Sequence, residues 1–441
     1  MKLLIVDTDG VGLSTAVRAV EAGHLVRWYV KPKKMNFKEA GEGFKGVQRV
    51  GNWLPSVPWA DVVLPTSNDD FLGRLTQLKK SGYPIFGPTT ESAALEINRG
   101  QGLELLSMHN IESAPYLTFK KMEQAYAHVL ANPGDRYVFK TLGDNEDKAL
   151  TYVSKHAADM VSWMEGKMQT TRIKGDVMLQ TFVDGIEMGV SRFMGRDGWV
   201  GPWNESFEHK KLMSGNYGPN TGEQGTVAYF TPESKLGEET LAKLEYALRQ
   251  RGHIGDVALG FMIEKTTGIP RPNEFTCRLG WPIWNLMLGS IRDDPVKWML
   301  DALEGRDTTT FKTDIGCCLV VATPPYPEEP EHRAQALGNP IYGVTNGNRK
   351  HIHPQGVMIM NQPDIENGKI VRRPTWSTAG TYNCVVTGFG STVKQACERA
   401  YKTTKQIHIS NMLVRDDIGE KLKEQLPALH KHGYADWCTY E

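Results

Sequence analysis

Over its first ninety residues the chain alternates short apolar runs with helical patterns, and this alternation restricts the fold more than any other feature. The run KLLIVD (2–7) leads through the turn DGVGLS into a helical pattern over 15–22. HLVRWYV (24–30) and ADVVLPTS (60–67) read as further strands, followed by a helical pattern over 71–80 and a short strand, PIFG (84–87). Strands that recur every ~25–35 residues with helices between them predict a parallel sheet flanked by helices. The turn after the first strand holds Gly10 and Gly12 and opens a helix, a geometry able to cradle a phosphate at the helix N-terminus. A G-x-G pair is as readily a plain turn. The third glycine of a dinucleotide-binding fingerprint is missing, which makes a dehydrogenase the weakest reading.

The segment 87–111 reads as a turn and a helix with Thr90 as N-cap. From 115 to 190 the pattern becomes a small α+β unit. Its strands are predicted at 114–119, 137–142, 150–154 and 177–183, and its helices at 122–130 and 157–168. One turn of this unit, FKTLGDNEDKAL (139–150), spaces Lys140, Gly143 and Lys148 as a phosphate loop would. Asp144, Glu146 and Asp147 lie between the glycine and the second lysine and would repel a phosphate. Antiparallel strands are expected across 187–280, with helices over 232–251 and 295–304. The Pro-rich stretch 323–340 reads as a surface loop. The C-terminal part has strands at CCLVVA, GVMIM and NCVVTGFG and a long helix, TVKQACERAYKTTKQIH.

At roughly 100–200 residues per domain, 441 residues allow two to four domains. The 51 basic residues balance 51 acidic ones, which argues against a binder of nucleic-acid polymers. No run of about 18 apolar residues is present, so no membrane span is expected. The start MKLLIVDTDG reads as a strand rather than a leader, and a cytoplasmic location is expected. The six cysteines form no C-x-x-C pair and read as reduced thiols.

Three stretches carry candidate chemistry. In PNEFTCRLGWP (272–282), Glu274, Thr276 and Arg278 alternate along a strand and share one face. A carboxylate there can hold Mg²⁺, and an arginine two residues away can grip a phosphoryl oxygen. In HKKLMSGNYGPNTGEQG (209–225), closely spaced glycines and a proline predict an irregular loop. Its backbone N–H groups could form an anion nest beside His209, Lys210 and Lys211. LQTFVDGIEMG (179–189) presents Glu187 after a turn at Asp184 and Gly185.

Taken in order, these stretches, YPIFGPTTESAALE, EHKKLMSGNYGPNTGEQG, NEFTCRLGWP, NCVVTGFGSTVKQACERAY and VRDDIG, resemble the phosphoribosylamine–glycine ligase family of the ATP-grasp superfamily across nearly the whole chain. The resemblance implies an α/β and α+β protein of ATP-grasp fold. Its expected parts are an N-terminal parallel-sheet domain (1–114), a small mobile lid subdomain (115–188), a central antiparallel domain (189–320) and a C-terminal strand–helix domain (321–441). It implies a ligase that activates a carboxylate, glycine in the parent family, as an acyl phosphate and joins it to an amine. ATP and Mg²⁺, or Mn²⁺ in its place, are the implied cofactors, and a monomer or homodimer is expected.

Residue by residue, the resemblance assigns Lys140, Gly143, Lys148, Gln180, Phe182, Val183 and Glu187 to the nucleotide. Glu274 and Thr276 go to the metal, and Arg278, Lys211, Asn220 and Thr221 to the reacting groups. The departures concern the nucleotide, the metal and the amine: the phosphate loop is acidic, and Gln180 and Thr181 stand where the family has glutamates. Thr276 stands where the family has asparagine, and Trp281 and Ile283 stand where it has acids. The glycine loop that holds the phosphoribosyl group in the family is reduced to DTDGVGLS. A ligase acting on another amine, such as a modified nucleotide, and a non-catalytic nucleotide-binding module are the alternatives.

Overall fold

The computed structural model describes the chain apart from residues 32–38, 69, 143–149, 172, 174, 293, 309 and 329–335. Gly143 and Lys148, with the acids between them, therefore lie outside the described residues. The N-terminal part contains β1 (Lys2–Asp7), α1 (Leu13–Glu21), β2 (Leu25–Val30), β3 (Val47–Arg49) and β4 (Val62–Pro65), then α2 (Leu72–Lys80), α3 (Thr90–Ile97) and α4 (Arg99–Met108). Its four strands are parallel in the order β3-β2-β1-β4, as the alternating pattern predicts for β1, β2 and β4, whereas the three-residue β3 was not expected. Residues 84–87 form isolated bridges, Val63 with Ile85 and Gly87 with Ile254, rather than a strand.

The predicted cap at Thr90 moves back one residue. The Thr89 hydroxyl accepts from the Ser92 N–H (3.2 Å), and the Ser92 hydroxyl accepts from the Thr89 N–H (3.0 Å), a reciprocal capping box. Thr90 instead donates its N–H to the Thr76 hydroxyl. The expected single helix is two, because Asn98 leaves helical geometry and caps α4 with its own side chain.

A small four-stranded antiparallel sheet follows, built from β5 (Tyr116–Phe119), β6 (Tyr137–Thr141), β7 (Tyr152–Val153) and β8 (Val177–Thr181) in the order β5-β8-β6-β7. Helices α5 (Met122–Ala131) and α6 (Ala157–Thr170) cover one face. Phe139, Met160, Met164 and Leu179 are buried between the layers, and Trp163 stacks on Tyr152 at 4.7 Å.

The largest sheet has eight strands in the order β13-β12-β9-β10-β11-β14-β19-β16. These are β9 (Gly185–Met194), β10 (Trp199–Met213), β11 (Tyr217–Thr231), β12 (Gly255–Glu264), β13 (Pro270–Thr276), β14 (Ile315–Ala322), β16 (Ile352–Pro354) and β19 (Tyr382–Gly390). The remaining strands, β15 (Leu337–Pro340), β17 (Val357–Glu366) and β18 (Lys369–Ala379), make a three-stranded sheet. β18 eluded the sequence pattern because most of its first half is exposed, so no apolar alternation marks it.

The helix expected over 232–251 is broken into α7 (Lys235–Glu239), a 3₁₀ turn at Leu241–Leu244 and α8 (Glu245–Gln250). Thr240 has non-helical backbone angles there, and its hydroxyl donates to the Leu236 carbonyl. Helices α9 (Ile283–Ser290), α10 (Pro295–Leu303), α11 (Val393–Thr404) and α12 (Leu422–Lys431) pack around the large sheet. Among the described residues, no helix is long and apolar enough to cross a membrane.

The segment GPNTG is not the irregular loop expected. It lies within β11 and pairs with β10, Lys211 opposite Asn220. The chain reverses earlier, at 214–216, where Gly215 (φ 69°) and Asn216 (φ 60°) supply the left-handed turn.

The C-terminal strand–helix contact depends on Gly388. A Cβ there would lie 2.3 Å from the Ala400 nitrogen and 2.4 Å from the Ala396 carbonyl oxygen, both backbone atoms of α11. Gly388→Ala is expected to cost about 1–3 kcal/mol through overpacking, read as a lower urea midpoint than the parent chain.

Candidate functional site

The first four strands of the large sheet, β13, β12, β9 and β10, have two unlike faces. On one, Phe275, Leu259, Val190 and Phe207 join the apolar core under α7 and α8. On the other, the register places Glu274, Gly260, Gly189 and Ser206 in one row. Alternation then puts Thr276, Glu187, Glu208 and Lys210 on that same face. Gly260 leaves the floor of the cleft open, whereas Gly189 makes room for the Ser206 hydroxyl, 2.5 Å from where its Cβ would stand. A Cβ on Gly260 would meet nothing nearer than the Glu274 carbonyl oxygen at 4.0 Å, so a ligand can approach the backbone.

Lys210 stands in the middle of this face. Its Nζ lies 3.1 Å from Glu187 Oε1, 3.3 Å from Glu208 Oε2 and 3.3 Å from Glu274 Oε1, linking β9, β10 and β13. Burial alone would lower the Lys210 pKa, but the charges of Glu208, Glu187 and Glu274 outweigh it and hold it well above the ordinary lysine value. Glu208 is pushed up by burial, with Lys210 pulling the other way. Glu223, on the bulged part of β11, is pushed well up by burial and by the charge of Glu208, and its Oε1 has no hydrogen-bond partner. Among the described residues, no three His, Cys, Asp or Glu side chains converge as a ready cation cage.

Two motifs separated by nearly two hundred residues brace the hairpin that carries Lys210. The almost fully buried Arg415 of VRDDIG donates to the Lys211 carbonyl (2.9 Å) and to Asn216 Oδ1 (2.8 Å), and it pairs with Asp417. Asp417 in turn accepts from the Gly215 N–H at 2.9 Å. Thr221 donates to the Lys210 carbonyl (2.8 Å) and accepts from Gln224, which also reaches the Tyr326 hydroxyl.

The small sheet brings Lys140 and Gln180 together. Lys140 Nζ donates to Gln180 Oε1 at 2.7 Å, and both side chains are buried. Phe182 and Val183 lie in the connection from β8 to β9, and the Arg136 guanidinium covers the Phe182 ring at 3.4 Å. On the far side of the row, Arg278 is held by Glu96 of α3, with Nε and Nη2 each 3.1 Å from Oε1. The other Glu96 oxygen accepts from Asn68 (2.8 Å) and from the Cys277 N–H (2.7 Å), so one carboxylate ties the N-terminal part to β13.

The predicted residues therefore fall into three groups. Lys140 and Gln180 sit in the small sheet. Glu187, Glu274 and Thr276 share the polar face of the large sheet. Asn220 and Thr221 lie on the hairpin, with Asn220 exposed. Lys211 gives its carbonyl to Arg415, while the lysine among the carboxylates is its neighbour Lys210. Sequence reasoning missed Glu208 and Glu96. Glu208 could have been found from the period-two spacing Glu208-x-Lys210, whereas Glu96 sits in a helix whose partner comes from β13 and leaves no local signal.

Comparison with known proteins gives a consistent result. Residues 102–282 match the family model described as phosphoribosylglycinamide synthetase, ATP-grasp (A) domain, and residues 316–421 match its C domain. The chain is similar to the phosphoribosylamine–glycine ligase of Vibrio parahaemolyticus, 28% identical over 363 residues, 79% of this chain and 80% of that one. It is equally similar, at 28% over 368 residues, to that of Neisseria meningitidis serogroup A, covering 79% of this chain and 81% of that one. Among solved structures it resembles the phosphoribosylamine–glycine ligase of Thermotoga maritima, with a TM-score of 0.70 and 20% identity over 95% of this chain and 100% of that one. It also resembles the biotin carboxylase domain of Hydrogenobacter thermophilus 2-oxoglutarate carboxylase, solved with MgADP. There the TM-score is 0.58 and the identity 13% over 99% of each chain.

One ammonium, that of Lys210, is shared by three carboxylates, and this sets a pH signature. The folded pKa of Glu208 and Glu223 is raised, so the native state holds protons to a higher pH than the unfolded state. Stability then falls as pH rises from the ordinary carboxylate range towards neutrality. Lys210→Met is expected to destabilise the chain by about 1–3 kcal/mol near neutral pH and by less near pH 5, checked by urea unfolding at both values.

Proposed function

The chain belongs to the phosphoribosylamine–glycine ligase family of the ATP-grasp superfamily, and from that premise we propose that it is an ATP-dependent carboxylate–amine ligase forming an amide through an acyl phosphate. It is phosphoribosylamine–glycine ligase or a close relative that uses glycine. The observation that carries the reading is the polar row Glu274–Gly260–Gly189–Ser206, with Glu187 and Lys210 beside it and the Lys140–Gln180 pair on the adjoining small sheet.

In this reading ATP lies between the two sheets. The Lys140 ammonium, already desolvated, meets its phosphates, and the Gln180 amide and the 182–183 connection meet its base. Glu187 faces the ribose side. A magnesium ion fits the donor set, since it takes one or two carboxylates and completes its shell with phosphate oxygens and water. Glu274 and the Thr276 hydroxyl, on one open face, would hold it, and it would neutralise charge developing on the transferred phosphoryl group. Arg278, braced by Glu96, holds its guanidinium in one orientation for an oxygen of that group.

The glycine carboxylate attacks the terminal phosphorus of ATP and ADP leaves. The amine then attacks the carbonyl carbon of the acyl phosphate. The C–N bond forms, the C–O bond to phosphate breaks, and the amine gives up a proton. Exclusion of water from the acyl phosphate is the remaining requirement.

The acyl phosphate can be trapped without knowing the amine. With ATP, glycine and hydroxylamine, the protein is expected to form glycine hydroxamate and ADP in equal amounts. Failure to form a hydroxamate with any proteinogenic amino acid would overturn the ligase reading, and ATP binding without turnover would leave a nucleotide-binding module. Glu274→Gln is expected to lower hydroxamate formation about 100-fold or more while leaving the thermal midpoint nearly unchanged. Gly260→Val, which fills the open floor, is expected to raise the KM for ATP at least about tenfold with the fold intact, as judged by circular dichroism.

A further inference from the structure

The first βα turn bears on the amine of the proposed ligase reaction, and its role is read on the premise of that reaction. In an open parallel sheet, small molecules sit outside the carboxyl ends of the strands where the strand order reverses. The order β3-β2-β1-β4 places that point between β1 and β4, at residues 7–12 and 65–68. A strand-to-helix turn at such a point ordinarily turns its N–H groups towards an anion from outside.

Here the chain supplies the anion itself. Asp7, the last residue of β1, is fully buried. Its Oδ1 accepts from the N–H groups of Asp9 (3.0 Å), Gly10 (2.8 Å) and Val11 (3.3 Å), and its Oδ2 from that of Gly12 (2.6 Å). The Thr66 hydroxyl (2.9 Å) and the Trp28 indole N–H (3.0 Å) complete the shell. Four successive backbone donors thus converge on one carboxylate, the role a phosphate would otherwise fill. Gly12 is packed closely against this carboxylate and its buried neighbours. A single methyl on Gly12 would come within 2.8 Å of Asp7 Oδ2, 2.9 Å of Ile5 Cγ2 and 3.1 Å of Trp28 Nε1.

The surrounding groups do not favour an extra negative charge either. Arg278 already faces Glu96 and feels the charge of Asp9. Asn68 is bound to Glu96, and Trp281 donates its indole N–H to the Thr66 carbonyl at 3.3 Å, closing the side of the crevice. A phosphate brought to the turn would find its donors taken and a carboxylate in its place, at a cost in both desolvation and repulsion.

We propose that Asp7 permanently occupies the anion nest of the first βα turn, and that the amine substrate presents a neutral or cationic group there and no phosphate. Within the ligase reading above, this selects the close relative that joins glycine to an unphosphorylated amine over the parent reaction with phosphoribosylamine.

Calorimetric titration of the full-length protein tests this, with the nucleotide site filled by a non-hydrolysable ATP analogue and Mg²⁺. The probes are D-ribose and D-ribose 5-phosphate. The phosphate is expected to add nothing, so the two dissociation constants agree within about threefold. A preference for ribose 5-phosphate of about tenfold or more in the parent chain would overturn the proposal. Asp7→Gly, which empties the nest, is expected to gain that preference; a folded Asp7→Gly that gains none would overturn the role given to Asp7. Should that variant fail to fold, the parent-chain comparison stands by itself. Hydroxamate formation does not involve the amine, so a failed ligase reading and a failed nest reading give different results.

Discussion

Lys210 lies between Glu187, Glu208 and Glu274, and the polar face of the eight-stranded sheet is arranged around that contact. Three carboxylates projecting from one face of β9, β10 and β13 would repel one another and resist burial. One ammonium, held by all three, offsets that repulsion and keeps β9, β10 and β13 at a fixed spacing. The neighbouring glycines matter for the same reason. Gly260 leaves a side-chain-free floor beside the charges and Gly189 accommodates the Ser206 hydroxyl, so the site is both charged and open. Such a cluster contributes little net stability compared with an apolar core, so its presence is better explained by ligand chemistry than by folding.

The rest of the molecule supports that face from several directions. Arg415, far along the chain, fixes the β10–β11 hairpin through the Lys211 carbonyl and Asn216. Glu96 fixes Arg278 and ties the N-terminal part to β13 through Asn68 and the Cys277 N–H. The small sheet contributes the Lys140–Gln180 pair on its own separate core. The polar groups thus come from the small sheet, which has a separate core, and from the large sheet and the N-terminal part, which share one, and the proposed site lies among them. This is the arrangement expected of a site that must gather a nucleotide, a carboxylate and an amine.

Much of this was legible in the chain. The alternation of apolar runs and helical patterns predicted a parallel sheet with β1, β2 and β4 in it; β3, three residues long, carries too little pattern to be read. The period of two in PNEFTCR predicted that Glu274, Thr276 and Arg278 share a face of one strand; the β12–β13 register bears this out for the first two, while β13 ends at Thr276 and leaves Arg278 beyond it. Where the reading missed, local signals competed. The glycines of GPNTG suggested a loop, but the reversal sits at Gly215 and Asn216, leaving GPNTG extended. A helix was expected across 232–251, and the Thr240 hydroxyl, bonded to the Leu236 carbonyl, divides it. Thr89 caps α3 in place of Thr90 because its capping box with Ser92 satisfies two backbone donors where Thr90 would satisfy one.

By itself, then, the sequence determined most of the order of strands and helices, the family and the residue types available for nucleotide chemistry, because these depend on periodicity and on short motifs. Which lysine would stand among the carboxylates was left to the tertiary structure. Lys210 and Lys211 are adjacent, and only the pairing of β10 with its neighbours turns the first towards Glu187 and Glu274. The fate of the first glycine turn was decided there too. In the sequence, Asp7 is only the last residue of a strand. In the fold it is enclosed by four backbone N–H groups, Thr66 and Trp28, which come from separate stretches of the chain, and a contact of that kind has no signature within any single one of them.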